Sequence, residues 1–316
     1  MKINLRVLAV LELFMDPENG EVNVKQECAK QQALRFVIVA DVHMGMNMNT
    51  RPGEEARELL ERLIEMTDSE ISPDLLVDLG DRVNNKNHDH DLENATRFSS
   101  IMKKLRVQSS YVLGNHDVHF LSKDENSSIL NKPLVPRVDI LKGYKLIYLD
   151  TSQPAIDGIG GNLSDEQLDW LEEQLTEDDL PKIVFGHHPI DDQALEGNPH
   201  FVPFPHLAFI RNKKAIQEIL QNGSNVVSYI NGHVHWLSVN YVGMIPCVSI
   251  PSFTEAHPLN KGAPGLFAEV NIVCEREIEV VVRSLKPCRS LGRLYLKHCN
   301  SSTSESFEEK KEEDLA

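Results

Sequence analysis

The sequence predicts a four-layer α/β (α+β) fold, two packed mixed β-sheets flanked by helices, from three observations. Five short runs rich in Val, Ile and Leu each stop at a polar turn. Stretches with leucines at helical spacing separate several of these runs. After Gly243 the apolar runs follow one another without helices between them. Runs that are apolar throughout, rather than alternating, belong to strands covered on both faces. Strand, polar turn, helix, strand is the order of a layered α/β domain.

Taken in order, Arg35 to Ala40 runs into Asp41, and Asp74 to Leu79 runs into Gly80-Asp81. Tyr111-Val112-Leu113 runs into Gly114-Asn115-His116-Asp117, Lys182 to Phe185 into Gly186-His187-His188, and Val226 to Ile230 into Asn231-Gly232-His233. Glu54 to Met66 carries Leu59, Leu60, Leu63 and Ile64 on one helical face. Ser164 to Leu175 carries Leu168, Leu171 and Leu175, opened by the capping box Ser164-Asp165-Glu166-Gln167. Lys213 to Leu220 is a further helix, and Asn84 to Asp91 reads as a polar loop. Ile245 to Ile250, Leu266 to Val273 and Glu277 to Val282 read as an antiparallel section completing a second sheet.

The chain of 316 residues is divided into an N-terminal extension (1–34), a central layered domain (35–285) and a C-terminal tail (286–316) that ends in a charged, low-apolar stretch unable to fold alone. The run from Met1 to Met15 lacks a small-residue cleavage site and is interrupted by Glu12, so it reads as a strand or short ordered extension rather than a secretion signal. A net charge of -16 argues against a nucleic-acid polymer as partner but leaves small anions open, because bound cations would set the local field. Five cysteines (Cys28, Cys247, Cys274, Cys288, Cys299) without C-x-x-C spacing fit reduced thiols and a cytoplasmic location. No segment is long and apolar enough to span a bilayer, and a homodimer is left open.

In α/β folds ligands bind beyond the C-terminal ends of the strands, and all five polar turns sit there. They present Asp41-x-His43, Gly80-Asp81, Gly114-Asn115-His116-Asp117, Gly186-His187-His188-Pro189 and Gly232-His233-Val234-His235. Each alone is a common turn; the ordered set is a donor set for metal ions. Carboxylate, amide and imidazole groups suit divalent cations. A pair of cations about 3.5–4 Å apart needs a bridging anion, for which Asp81 is the candidate. If the segments are extended, the period of two puts Asp41 with His43, and His233 with His235, on one side.

These five motifs resemble those of the calcineurin-like metallophosphoesterase superfamily. The segments Leu149-Asp150-Thr151-Ser152, Gly161-Asn162-Leu163-Ser164, Gln167 to Leu171, and Pro251-Ser252 are similar to the class III cyclic-nucleotide phosphodiesterases. The resemblance implies that Asp41, His43, Asp81 and His235 hold one metal and Asp81, Asn115, His187 and His233 the other, the ions being manganese, iron, zinc or cobalt. It implies a metal-bridging hydroxide that attacks phosphorus. His116 would steady the phosphate or protonate the leaving oxygen, with Asp117 orienting it. Purple acid phosphatases carry a tyrosine where this chain has Asn84, so that branch fits less well.

The function expected is therefore a metal-dependent phosphodiesterase acting on small esters such as cyclic nucleotides. A phosphomonoesterase, a pyrophosphatase acting on nucleoside diphosphate derivatives, and a non-catalytic metal-binding scaffold are the alternatives, because a core site does not fix substrate. Arg82, His88 and His188 are candidate substrate contacts. For Arg82 a structural ion pair is the competing role, and for His88 a place in a solvated loop.

Overall fold

The computed structural model describes residues 33–134, 136–152, 160–256, 262–274 and 277–297. The run from Met1 to Met15, Cys28, Cys299 and the charged end of the tail lie outside the described residues.

The strands are β1 (Leu34–Val39), β2 (Leu75–Asp78), β3 (Ser109–Tyr111), β4 (Arg137–Leu141), β5 (Tyr144–Tyr148), β6 (Lys182–Phe185), β7 (Val226–Asn231), β8 (Ser238–Val242), β9 (Ile245–Ser249), β10 (Leu266–Cys274), β11 (Glu277–Leu285) and β12 (Cys288–Lys297). The helices are α1 (Ala56–Met66), α2 (His88–Met102), α3 (Lys123–Leu130), α4 (Asp165–Thr176) and α5 (Lys213–Asn222). One sheet has the order β12-β11-β10-β1-β2-β3, the other β4-β5-β6-β7-β9-β8. β1, β2 and β3 are parallel, as are β5, β6, β7 and β9.

The apolar runs have no polar face because each strand serves two cores. On β1, Phe36 and Ile38 face the second sheet and pack in a cluster with Tyr148, Phe185, Ile230 and Val248. Val37 and Val39 point the other way, onto Leu59 and Leu63 of α1 and Phe98 and Ile101 of α2. On β6, Ile183 and Phe185 belong to the inter-sheet core, whereas Val184 packs with Leu171 and Leu175 of α4 and Ile216 and Leu220 of α5. Strand periodicity thus produces four layers: helices, sheet, sheet, helices.

The section after Gly243 is arranged differently from the single antiparallel block expected. β9 lies parallel to β7 in the second sheet, while β10 pairs antiparallel with β1 and extends the first. β12 pairs with β11, so the first sheet continues through Lys297, past the boundary set at 285. The segment read as a loop over Asn84 to Asp91 enters α2 at His88. Asn87 caps that helix by accepting from His90 N at 2.9 Å, and Asp89 and Asp91 suit its positive end. At α4, Ser164 Oγ accepts from Gln167 N at 3.3 Å, but the Gln167 side chain does not close the box. It bonds instead to the backbone N–H and carbonyl of Asp150, at 2.8 and 2.9 Å. Among the described residues no helix is long and apolar enough to cross a membrane.

Candidate metal centre

The turns that follow β1, β2, β3, β6 and β7 are tied together by backbone N–H groups that donate to carbonyls and carboxylates of neighbouring turns, Gly232 N to His187 O (3.0 Å) among them. Asp41 N donates to Gly80 O (3.0 Å), His43 N to Asp81 O (2.9 Å) and Met44 N to Arg82 O (2.8 Å). The Asp41 carboxylate accepts from His233 N at 3.0 Å, and the Asp81 carboxylate accepts from His116 N at 2.8 Å. Close approach between turns depends on Gly114, where a Cβ would lie 2.1 Å from Asp81 Oδ1.

The pairing of side chains within Asp41-x-His43 and His233-x-His235 does not come from an extended pleat. All four residues have positive φ, at 53°, 46°, 70° and 66°, and Asp81 joins them at 57°. Non-glycine residues in this region are uncommon and cost about 1 kcal/mol or more each. Here they curl successive side chains toward one point, with the strain held by the surrounding hydrogen bonds.

The sequence-predicted donors come together. His43 Nε2 is 3.0 Å from His235 Nε2, and His235 Nε2 is 3.5 Å from Asp41 Oδ1. His187 Nε2 lies 3.2 Å from His233 Nδ1, 3.2 Å from Asn115 Oδ1 and 3.3 Å from Asp81 Oδ2. Asp81 Oδ2 is also 4.0 Å from His43 Nε2, so it stands between the two groups. Ligand atoms about 2.1 Å from a shared cation are separated by about 3.0–3.4 Å, which matches this crowding of lone pairs.

The outward nitrogen of each imidazole supports the same use. His187 Nδ1 faces Leu79 O at 2.7 Å, His233 Nε2 faces Leu207 O at 2.9 Å, and His235 Nδ1 faces a Glu255 carboxylate oxygen at 2.9 Å. His43 Nδ1 faces Val83 O at 3.4 Å. Each outer N–H has an acceptor, which leaves the inner lone pair for a metal; metal-binding histidines are ordinarily oriented this way.

Electrostatics divide the cluster. Burial raises the Asp81 carboxyl, but the imidazoles of His187, His116 and His43 outweigh it and hold the group well below the usual carboxylate range. Burial works against charge on His187 and His235 as well. Asp81 nevertheless lifts His187 to about 9, and Asp41 with Glu255 lifts His235 to about 9. With weaker support, burial pushes His233 down to about 3 and His116 down to about 4. Burial and Arg51 hold His43 well below the ordinary imidazole value.

Asp117, expected to orient His116, is committed elsewhere. Its carboxylate accepts from Gly114 N (2.9 Å), Asp81 N (2.9 Å), Arg82 N (2.8 Å) and the Arg82 guanidinium (2.8 Å). It ties the second motif to the third, and His116 Nδ1 is buried without a hydrogen-bond partner. Arg82 is not a substrate contact: it is 1% exposed, paired to Asp78 at 2.6 Å and to Asp117, and donates to Val112 O at 2.5 Å. His88 stands half exposed at the start of α2 with Nε2 2.7 Å from Glu125. His188 is sealed behind the cluster, Nδ1 2.9 Å from Thr151 Oγ1 and its ring 4.2 Å from that of His233.

The sequence reading missed Glu255, Thr151 as a support and Arg51. Thr151 Oγ1 accepts from the backbone N–H groups of His187 and His188 at 3.2 and 3.3 Å. Glu255 follows Pro251-Ser252, but nothing in its spacing ties it to His235. His200 places Nε2 3.2 Å from the same Glu255 oxygen.

The family model for calcineurin-like phosphoesterases matches residues 34–237. A probable cyclic nucleotide phosphodiesterase of Synechococcus is 25% identical over 191 residues, 57% of this chain and 65% of that protein. A protein of the same description from Rhodococcus erythropolis is 28% identical over 229 residues, 69% of this chain and 67% of that protein. A dimetal phosphatase from Danio rerio shares the fold, with a TM-score of 0.67 at 16% identity over 84% of this chain and 99% of that one. The match across residues 34–237 makes the chain a member of the calcineurin-like phosphoesterase family, a phosphoric ester hydrolase.

Proposed function

We propose that the chain is a phosphodiesterase acting on small phosphodiesters such as cyclic nucleotides, with two metal ions held by this cluster. The observation that carries the reading is the set of four imidazoles whose outer nitrogens each face an acceptor while their inner nitrogens crowd together with Asp41, Asp81 and Asn115. Asp41, His43, Asp81 and His235 would hold one ion; Asp81, Asn115, His187 and His233 would hold the other. Bound cations of this kind lower the pKa of water toward neutrality and offset charge on phosphoryl oxygens. The residues supply position: the backbone of five turns fixes the donors, Asp81 spans both halves, and His116 presents an imidazole beside them. The diester preference draws on the relatives described as probable cyclic nucleotide phosphodiesterases and on the net charge of -16, which disfavours a polymeric nucleic acid.

The test is a panel of manganese-, iron-, zinc- and cobalt-loaded protein against bis-p-nitrophenyl phosphate, p-nitrophenyl phosphate and cyclic AMP. Diesters are expected to turn over faster. Faster turnover of the monoester would replace this reading with a phosphomonoesterase, and binding of fewer than one metal per chain would replace it with a non-catalytic role.

A further inference from the structure

We propose that Arg51 is a substrate-binding residue of this centre, its guanidinium donating to a phosphoryl oxygen; the proposal rests on the phosphoesterase reading above. Arg51 is 7% exposed and stands on the loop between Asp41-x-His43 and α1. Its Nη1 lies 3.5 Å from His43 Nδ1 and 3.5 Å from His116 Nε2, which puts the cation on the wall shared by a metal-ligand candidate and the nearby imidazole. Both contacts are too long to satisfy a guanidinium. Nε is buried with no hydrogen-bond partner, and among the described residues no carboxylate lies within ion-pair distance of the side chain. Asp81, Glu255 and Asp41 are near enough to favour its charge, yet burial outweighs them.

A buried arginine is ordinarily paired, because leaving a charge and its N–H groups unmatched costs several kcal/mol. Arg82 in this same protein shows the ordinary arrangement, with two carboxylates and a carbonyl. Arg51 has no comparable partner, and its Nη1 lies beside the His116 imidazole that the phosphoesterase reading sets next to the substrate. A planar fork of N–H donors suits phosphoryl oxygens, which it binds in paired fashion.

The guanidinium is not needed to hold its loop. Met48 and Arg51 exchange backbone hydrogen bonds at 3.0 and 2.8 Å, Asn84 Nδ2 donates to Met46 O at 2.9 Å, and Ala256 N donates to Thr50 O at 2.8 Å. Asn47 and Glu54 bond reciprocally at 3.1 and 3.2 Å. The side chain is therefore presented from a loop fixed by other groups, which lowers the ordering cost of engaging a ligand.

The test compares manganese-loaded parent protein with Arg51→Gln and Arg51→Lys. Elemental analysis, thermal melting, diester kinetics and calorimetric titration with inorganic phosphate are the readouts. Arg51→Gln is expected to keep its metals and melting temperature while phosphate affinity and kcat/KM fall about 10- to 100-fold, the scale of one charged hydrogen bond. The loss should fall on KM more than kcat if the contact is made equally in ground and transition states. Arg51→Lys, which keeps the charge and loses the fork, should recover part of the phosphate affinity. Phosphate affinity unchanged in Arg51→Gln would overturn the proposal, as would a loss that tracks metal depletion. Absence of esterase activity in the parent would instead count against the phosphoesterase reading, and phosphate titration would still judge Arg51.

Discussion

Glu255 places one carboxylate oxygen 2.9 Å from His235 Nδ1, on the side of the ring opposite the cluster. The same oxygen is 3.2 Å from His200 Nε2, so the carboxylate braces two imidazoles from separate loops. A carboxylate behind a metal-binding histidine fixes its tautomer and raises its basicity. Glu255→Gln is therefore expected to weaken binding at the His235 side of the centre by about 10- to 100-fold. The melting temperature with chelator present should change little, and competition with a fluorescent chelator measures the affinity. Retention of both metals at parental affinity would assign Glu255 to loop packing alone.

Protonation of the cluster sets a second expectation. His187 and His235, lifted to about 9 by Asp81, Asp41 and Glu255, carry protons at neutral pH that a metal must displace. A histidine raised above its unfolded value of about 6.5 contributes stability that is fully present below that pH and lost as pH rises through its folded value. The melting temperature of chelator-treated protein should fall between about pH 6.5 and 9, while metal affinity rises over the same interval. Calorimetry at pH 7 in buffers of different ionisation enthalpy should report proton release on metal addition. Release of none would contradict the charged state of both rings.

Asp117 gives a stability prediction, because its carboxylate links the second and third motifs and makes no hydrogen bond to the His116 ring. Burial raises its carboxyl, whereas Arg82 and the backbone N–H groups of Gly114 and Arg82 favour the charged form. Asp117→Ala leaves Arg82 with Asp78 as its one carboxylate and three turn N–H groups without their acceptor. Removing one partner from a buried pair costs about 3–5 kcal/mol, which denaturant unfolding would register. A loss of activity without loss of stability would return Asp117 to a catalytic role.

The parts of this site that were legible in the sequence are those where a strand stops at a chemically distinctive residue. Asp41, Asp81, Asn115, His187 and His233 could be located because each follows a buried strand, and strand burial leaves an apolar run. Arg51 and Glu255 could not, since each lies in a loop whose position depends on tertiary contacts such as Ala256 N to Thr50 O. Arg82 was left between two roles for a related reason: adjacency to Asp81 in sequence says nothing of direction, and the chain turns its guanidinium inward to Asp78 and Asp117, the ion pair of the two alternatives. α2 was hidden by its polar first turn, His88-Asp89-His90-Asp91, which has no apolar residue to begin a helical pattern. The positive φ at both ends of Asp41-x-His43 also left no mark, because neither residue is a glycine that would announce it.

His116 allows two roles to be separated by experiment. Burial holds its imidazole down at about 4, with Arg51, His235 and His187 acting in the same direction against Asp81. Cations bound beside it would add to that effect, so the ring is neutral at the pH of any ordinary assay. A neutral imidazole can donate one N–H to a phosphoryl oxygen, whereas a general acid for the leaving group needs the proton it lacks. His116→Ala is thus expected to keep its metals and to lose about 10²- to 10³-fold in kcat, the cost of one preorganised donor. The loss should be similar for bis-p-nitrophenyl phosphate, whose leaving group needs no proton, and for cyclic AMP, whose alkoxide does. A loss confined to cyclic AMP would establish proton donation by His116 and show that the substrate complex raises its pKa far above the value set by burial.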